Sequence, residues 1–311
     1  MSRILPLLTL LLLAGNVGGA PLDVIVVSDL NGPYGQVGLH PRVRRAVARI
    51  IEQAPDLVIS TGDMVAGQQP YPKLDEQRLH DMWVEFHRTV TEPLAAAGIP
   101  LVVTPGNHDA SAYPGYANER AAYARAWAGR RTDVDFVDAE HYPFRFAFRR
   151  GGVLFIALDA TRMGPLAAAE LRWLEGLLAG RQGETTVVFG HLPVWPVAQG
   201  RETEFIDDPA LLAGANVEVY LSGHHHAYYA GSGGGALHVS QACLGSGPRR
   251  LIGAREVSAR AFTRLIIDDE GVVEVVAFRE PAFVETIPLE TLPPYIDTPI
   301  GRLERYAPPT P

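Results

Sequence analysis

Leu101-Val102-Val103-Thr104-Pro105-Gly106-Asn107-His108-Asp109 is a short apolar run that ends in a glycine and three metal-capable side chains. A β-branched run followed by turn residues predicts a buried strand emptying into a loop. The same arrangement recurs four times. Residues 24–27 lead through Ser28 to Asp29, and residues 57–59 lead to Gly62 and Asp63. Residues 187–189 lead to Gly190 and His191, and residues 217–221 to Gly223-His224-His225-His226. In open α/β sheets, ligands gather outside the carboxyl ends of the strands. Parallel neighbours would bring Asp29, Asp63, Asn107, His191, His224 and His226 to one rim. Imidazole nitrogens mixed with hard oxygens suit borderline divalent metals such as Mn, Fe or Zn. Calcium prefers oxygen-only surroundings.

Between these runs the pattern alternates with helices. Strands are predicted at 23–28, 56–61, 100–104, 185–189 and 217–221. Helices are predicted at 41–54, 74–97 (with a break at Pro93), 116–128 and 166–179. Further strands are expected at 144–148 and 153–159, turning at Gly151-Gly152, and at 237–241. Residues 262–268 and 272–278 read as a hairpin around Asp269-Glu270-Gly271. The alternation means α/β, and the later strands imply a second sheet packed on the first. No repeat or linker divides residues 21–280. Residues 281–311 are Pro-rich and read as an irregular tail packed on that domain.

The chain has 311 residues and a formal charge of -8, with 47% hydrophobic and 20% charged residues. Those values exclude wholesale disorder. No basic run supplies the phosphate-neutralising term that a nucleic-acid coat needs. One cysteine, Cys243, excludes an intramolecular disulfide framework and a CxxC zinc site. Residues 1–20 follow the order of a secretory leader: a positive start at Arg3, an apolar run over 4–14, then small residues. The chain is therefore expected to be secreted or periplasmic. The run is short for a membrane span, and no stable span is expected once the leader is removed.

Gly106-Asn107-His108-Asp109 and Gly223-His224-His225-His226, in that order after Asp29 and Gly62-Asp63, resemble the calcineurin-like metallophosphoesterases. The resemblance spans residues 24–226 and includes Leu171-x-Trp173-Leu174 and His191-Leu192-Pro193. It implies a four-layer αββα sandwich, two mixed β-sheets flanked by helices, and a dinuclear centre of two divalent ions. One ion would take Asp29, Asp63 and His226. The other would take Asp63, Asn107, His191 and His224, with Asp63 bridging. The implied reaction is hydrolysis of a small phosphate mono- or diester by a metal-bridging hydroxide. His108 would face the leaving group, and Asp109 would orient its imidazole.

One position departs from the family pattern, which has His two residues after the first Asp. Here that residue is Asn31. Its amide oxygen can ligate directly or support the centre from behind, with Tyr34 or His40 of the same loop as substitutes. Nor does a Tyr ligand of the purple acid phosphatase kind follow Gly-Asp; Met64 and Val65 stand there. The alternative to an enzyme is a lapsed, single-metal binding module of the same fold.

Other residues carry less. His225 sits between two ligands and should point elsewhere. Arg249, Arg250, Arg255 and Arg260 read as a solvated basic loop, with recognition of an anionic substrate as the alternative, and residues 231–235 read as a flexible turn. Cys243 reads as a buried thiol. Tyr71, Tyr113, Tyr116, Trp195, Tyr228 and Tyr229 are available to stack on a base or aryl leaving group. No feature calls for a protein partner.

Overall fold

The structure, a computed structural model, describes residues 20–208, 217–268 and 271–308. The expected leader therefore lies outside the described residues, except for its last residue, Ala20. So does the Asp269-Glu270 turn.

The first sheet begins with β1 (Leu22–Val27), followed by α1 (Pro41–Gln53) and β2 (Leu57–Ser60). Pro41 starts α1 at the position where a missing N–H costs nothing. His40 caps the helix, its Nδ1 accepting from Arg42 N at 3.2 Å. That duty takes His40 away from the metal role considered for it. Val43, Ala46, Val47 and Ile50 form the buried stripe of α1.

Next come α2 (Glu76–Phe86), a π turn at His87–Thr91 and α3 (Glu92–Ala96). Pro93 does not break this helix. Without its N–H the Thr89 carbonyl has no donor four residues on, and the chain widens so that Glu92 N–H reaches His87 O. Then come β3 (Leu101–Val103), the single turn α4 (Asn107–Ala110) and α5 (Ala117–Trp127).

The second sheet opens with β4 (Asp135–Asp138), β5 (Phe146–Arg150) and β6 (Val153–Ala157). After α6 (Ala168–Ala179) come β7 (Thr186–Phe189) and β8 (Val219–Ser222). They are succeeded by β9 (Tyr229–Gly233) and β10 (Ala236–Ser240). The chain then returns to the first sheet through β11 (Ala261–Asp268), β12 (Gly271–Arg279) and β13 (Glu285–Thr286). It ends in the second with β14 (Tyr295–Thr298) and β15 (Gly301–Arg305).

Sheet order is β13-β12-β11-β1-β2-β3 in one and β14-β15-β9-β10-β8-β7-β6-β5-β4 in the other. Both sheets are mixed. β1, β2 and β3 run parallel, as do β6, β7, β8 and β10. Register aligns the strand ends: Val27 pairs with Ser60 and Ser60 with Val103, so three of them stand level. Phe189 pairs with Leu221 in the same way.

Alternation along β1 splits the core. Val24 and Val26 join the second sheet's Phe155, Val187 and Leu221, while Ile25 and Val27 join α1, α2 and α5 through Val47, Trp83 and Tyr123. Each such side chain contributes about 1.5–3 kcal/mol on burial. α6 lends Leu174 and Leu178 to the first of these clusters. The layers are the expected αββα sandwich.

Two expectations change. Residues 231–235 are not a loose turn: Gly231 and Gly233 belong to β9. A Cβ on Gly231 would sit 2.7 Å from Leu303 Cγ, so the glycine is what lets β15 lie alongside. Nor are residues 281–308 irregular throughout, because β13 extends one sheet and the β14–β15 hairpin the other.

Candidate metal centre

The carboxyl ends of β1, β2, β3, β7 and β8 meet at one rim. One ligand atom each from Asp29, Asp63 and His191 lies within 4.8 Å of the others, and all three residues are buried. Asn107 Oδ1 stands 2.9 Å from both His191 Nε2 and His224 Nδ1. His226 Nε2 lies 3.0 Å from Asp29 Oδ1. Six of the seven residues predicted as ligands are thus in mutual reach.

The backbone is bent to achieve this. Seven non-glycine residues, among those described, have a positive φ; Asp29, Asp63, Gln68, His224 and His226 are five of them. Each such residue stores on the order of 1 kcal/mol or more of strain. Gly106 allows the closest approach. A Cβ there would fall 2.1 Å from Asp63 N and 2.2 Å from Asp63 Oδ1.

Hydrogen bonds assign the imidazole tautomers. His191 Nδ1 donates to Thr61 O at 2.9 Å, and His226 Nδ1 to Gly247 O at 2.8 Å. His224 Nε2 donates to Glu204 Oε2 at 3.0 Å. In each ring the other nitrogen then points a lone pair into the cluster, the usual setting of metal-bound histidine. It meets oxygen there. His191 Nε2 faces Asp63 Oδ2 at 3.3 Å, and His226 Nε2 faces Asp29 Oδ1. That Asp29 oxygen is buried and takes no hydrogen bond, whereas Oδ2 accepts from Ser28 Oγ and His224 N. Lone pairs facing lone pairs in a dry site require a positive charge between them, a proton or a metal ion. The donor set therefore fits divalent metal ions.

Without a metal, a proton supplies that charge. Burial alone would lower the His191 pKa, yet Asp63 outweighs it and pushes the ring up to about 9. Burial likewise raises the two carboxyls, but His226 holds Asp29, and His191 holds Asp63, below the usual carboxylate range. His224 is held down at about 4, by burial first, despite Glu204.

Two residues missed in the sequence, Gln68 and Glu204, and one read otherwise, Arg249, set these orientations. Gln68 Oε1 accepts from Asn107 Nδ2 at 2.7 Å, which turns Asn107 Oδ1 towards the histidines. Gln68 is itself fixed, its Nε2 donating to Ser111 Oγ and its N–H to Glu119 Oε2. Glu204 holds His224 and binds Arg201 at 2.5 Å. Burial pushes Glu204 up, but these two partners bring it down to about 2. Arg249 Nη1 donates to His224 O, which takes it out of the solvated loop expected for it.

Asn31 is buried at this rim, but its Oδ1 accepts the Ser246 hydroxyl. That bond uses one of the two lone pairs of the oxygen predicted to ligate. Asp109 departs further. Its carboxylate accepts from Met64 N, Val65 N and Gly106 N at 2.8–2.9 Å and makes no bond to His108. The imidazole is oriented instead by the Gly67 carbonyl, which accepts from His108 Nδ1 at 2.8 Å. His108 Nε2 faces the centre, 3.9 Å from Asp63 Oδ2.

His225 turns away as expected. Its Nδ1 accepts from Val197 N and Ala198 N, and burial holds it down at about 3. Cys243 is buried, its thiol pushed up to about 12. Among the aromatic candidates, Trp195, Tyr228 and Tyr229 are core residues. Lys73 Nζ covers the Tyr116 ring at 3.4 Å. Tyr113 does line the cleft above the centre, together with Tyr34, whose expected part was that of a ligand.

The family profile of calcineurin-like phosphoesterase matches residues 22–228. The chain belongs to that family. Among calcineurin-like relatives, purple acid phosphatase 22 of Arabidopsis thaliana is 27% identical over 216 residues, which is 67% of this chain and 45% of the relative. Tartrate-resistant acid phosphatase type 5 of Rattus norvegicus is 24% identical over 204 residues, 58% of each chain. The chain thus spans about half the length of the curated relatives it matches.

Two solved structures share the calcineurin-like fold. Purple acid phosphatase PPD1 from yellow lupin (Lupinus luteus) seeds has a TM-score of 0.63 at 16% identity, covering 86% of this chain and 53% of that one. A dimetal phosphatase from Danio rerio has a TM-score of 0.55 at 17% identity, covering 86% and 98%.

Proposed function

We propose that the protein is a metal-dependent phosphoric ester hydrolase whose centre is built from Asp29, Asp63, Asn107, His191, His224 and His226. The observation that carries this reading is the buried meeting of Asp29, Asp63 and His191, with one Asp29 oxygen left without a hydrogen bond. Asp29 and His226 would hold one divalent ion; Asn107, His191 and His224 would hold the other, with Asp63 between them. When bound, such a pair supplies Lewis acidity to phosphoryl oxygens and makes water acidic enough to attack at neutral pH.

This chain's own groups do the rest. Thr61, Gly247 and Glu204 fix three histidine tautomers, and Gln68 fixes the Asn107 amide. His108, its Nδ1 proton on Gly67 O, presents Nε2 to the cleft. A proton held at that atom can pass to the leaving oxygen. Asp109 ties the turn after β2 to α4 and so sets the height of His108.

The Ser246 bond to Asn31 favours, as a second reading, a centre that keeps one ion. One plate separates the two. Metal-stripped protein is reloaded with Mn and given an aryl phosphate monoester and a bis-aryl diester, beside a chelator control and Asp63→Asn. Turnover lost in both controls is expected, with two ions per chain by elemental analysis. One ion and no turnover would replace the enzyme with the binding module.

Residues 1–20 are read as a removable secretory leader, 21–280 as the catalytic domain and 281–311 as a segment packed on it. The mass of the protein recovered from an expressing cell's exterior or periplasm tests the first of these. The unprocessed mass would reject it.

A further inference from the structure

Of the eight exposed large hydrophobic residues described, two stand at the mouth of the centre: Tyr34, 55% exposed, and Met163, 39% exposed. Tyr34 is not there by slackness of its loop. Gly35 N donates to Ala66 O at 2.7 Å and Gln36 N to Pro33 O at 3.0 Å, so the turn is pinned on both sides of the ring. The ring lies 5.2 Å from that of His108, tilted by 33°. An apolar surface held rigidly in water beside a reactive group is a binding surface by ordinary physical expectation.

The lining of the cleft it borders is of two kinds. Tyr34, Tyr113 and Met163 give it apolar surface, Arg201 and Arg249 give it positive charge, and Asn107, His108 and His224 of the centre line it as well. Glu204 offsets one of the two arginines through its bond to Arg201, which leaves the Arg249 charge for an anion. The volume is about 180 Å³. A cavity of about 150 Å³ accommodates benzene, and pockets for larger ligands start near about 300 Å³. The space suffices for one ring and not for two, so a second organic arm would lie in solvent.

Resting on the hydrolase reading above, we propose that the preferred substrates are phosphate monoesters of aromatic alcohols, with Tyr34 as the platform for the ring. The phosphoryl group would face Arg249 and the centre. The aromatic ring would lie on Tyr34, which places its ester oxygen next to His108 Nε2.

The test uses non-hydrolysable probes, so that leaving-group reactivity plays no part. Binding of phenylphosphonate and methylphosphonate to the Mn-loaded full chain is measured by calorimetry, for the wild type, Tyr34→Ala and Tyr34→Phe. The phenyl probe should bind about tenfold tighter to the wild type, the scale of one aromatic contact. Tyr34→Ala should bring the ratio within about twofold, and Tyr34→Phe should keep it. A ratio near one in the wild type overturns the proposal without any variant, as does a preference that survives Tyr34→Ala. Ester turnover without phenyl preference refutes this proposal alone. Phenyl preference without turnover refutes the hydrolase reading alone.

Discussion

Replacing Gln68 by leucine removes one amide and keeps nearly the same volume. Both residues must sit at the same left-handed backbone, φ 61°, so the strain is common to the two proteins and cancels. The substitution deletes the 2.7 Å bond that holds Asn107 Nδ2 and the 3.2 Å bond to Ser111. A buried donor left without a partner costs about 1–3 kcal/mol. Asn107 can recover part of that by turning its amide, and the turn takes Oδ1 away from His191 and His224. Changes to groups that orient a metal ligand lower metal affinity by about 10–100-fold. Gln68→Leu is therefore expected to weaken one of the two ions by that factor and leave the other near its wild-type affinity. Gln68→Glu retains the Oε1 acceptor and should lose much less. The assay is competitive metal titration of stripped protein against a chelating dye, with circular dichroism to confirm the fold. Two ions bound at unchanged affinity by a folded Gln68→Leu protein would refute the claim that Asn107 is held by Gln68.

Three other outcomes rest on the same geometry. Glu204→Leu should weaken one ion about 10–100-fold, because His224 Nε2–H loses its acceptor, whereas Glu204→Gln should be milder; the same titration reads both. Gly106→Ala forces a Cβ to about 2 Å from Asp63 backbone and carboxylate (2.1 and 2.2 Å), and thermal melting should show a loss of about 1–3 kcal/mol or more; an unchanged Tm would mean the two turns are looser than described. Burial holds His87 and His238 down at about 4, while the unfolded chain's histidines titrate near about 6.5. The unfolded state takes up protons first, so the contribution of these two rings is full above about 6.5 and falls as pH drops towards about 4, against Asp109 and Glu119, which burial raises to about 7 and which act the other way. Urea midpoints at pH 7 and pH 4.5, compared between wild type and His238→Gln, measure this: the variant should lose less stability, or gain more, on going to pH 4.5, and an identical pH difference in the two would refute it.

The rim was legible because its signal is local. Each strand ends within a few residues of its ligand, and β-branched runs and glycines mark those ends. The illegible part was tertiary. Gln68 and Glu204 lie in loops with no spacing of their own, and they matter only because folding brings them to Asn107 and His224. Asp109 looked like a partner for its neighbour His108, but its carboxylate is turned to three backbone N–H groups while the ring's Nδ1 is turned to the Gly67 carbonyl. Asn31 was read as a ligand or a support for the centre, and nothing local told that Ser246, 215 residues away in sequence, shares its oxygen. The strands beyond residue 280 were hidden by prolines, and β9 by glycines that exist to let another strand approach.

The left-handed residues have a use beyond this molecule. Motifs fade with sequence drift, but a backbone that would relax with glycine and carries aspartate or histidine instead is kept in that state by some requirement outside folding. Four of the centre's six side chains bear that mark, two on each side of the junction between the sheets. A search that ignores sequence and looks only for charged or imidazole side chains on left-handed backbone at the carboxyl ends of parallel strands would find this site unaided. It would find the same architecture in chains whose signatures no alignment can recover.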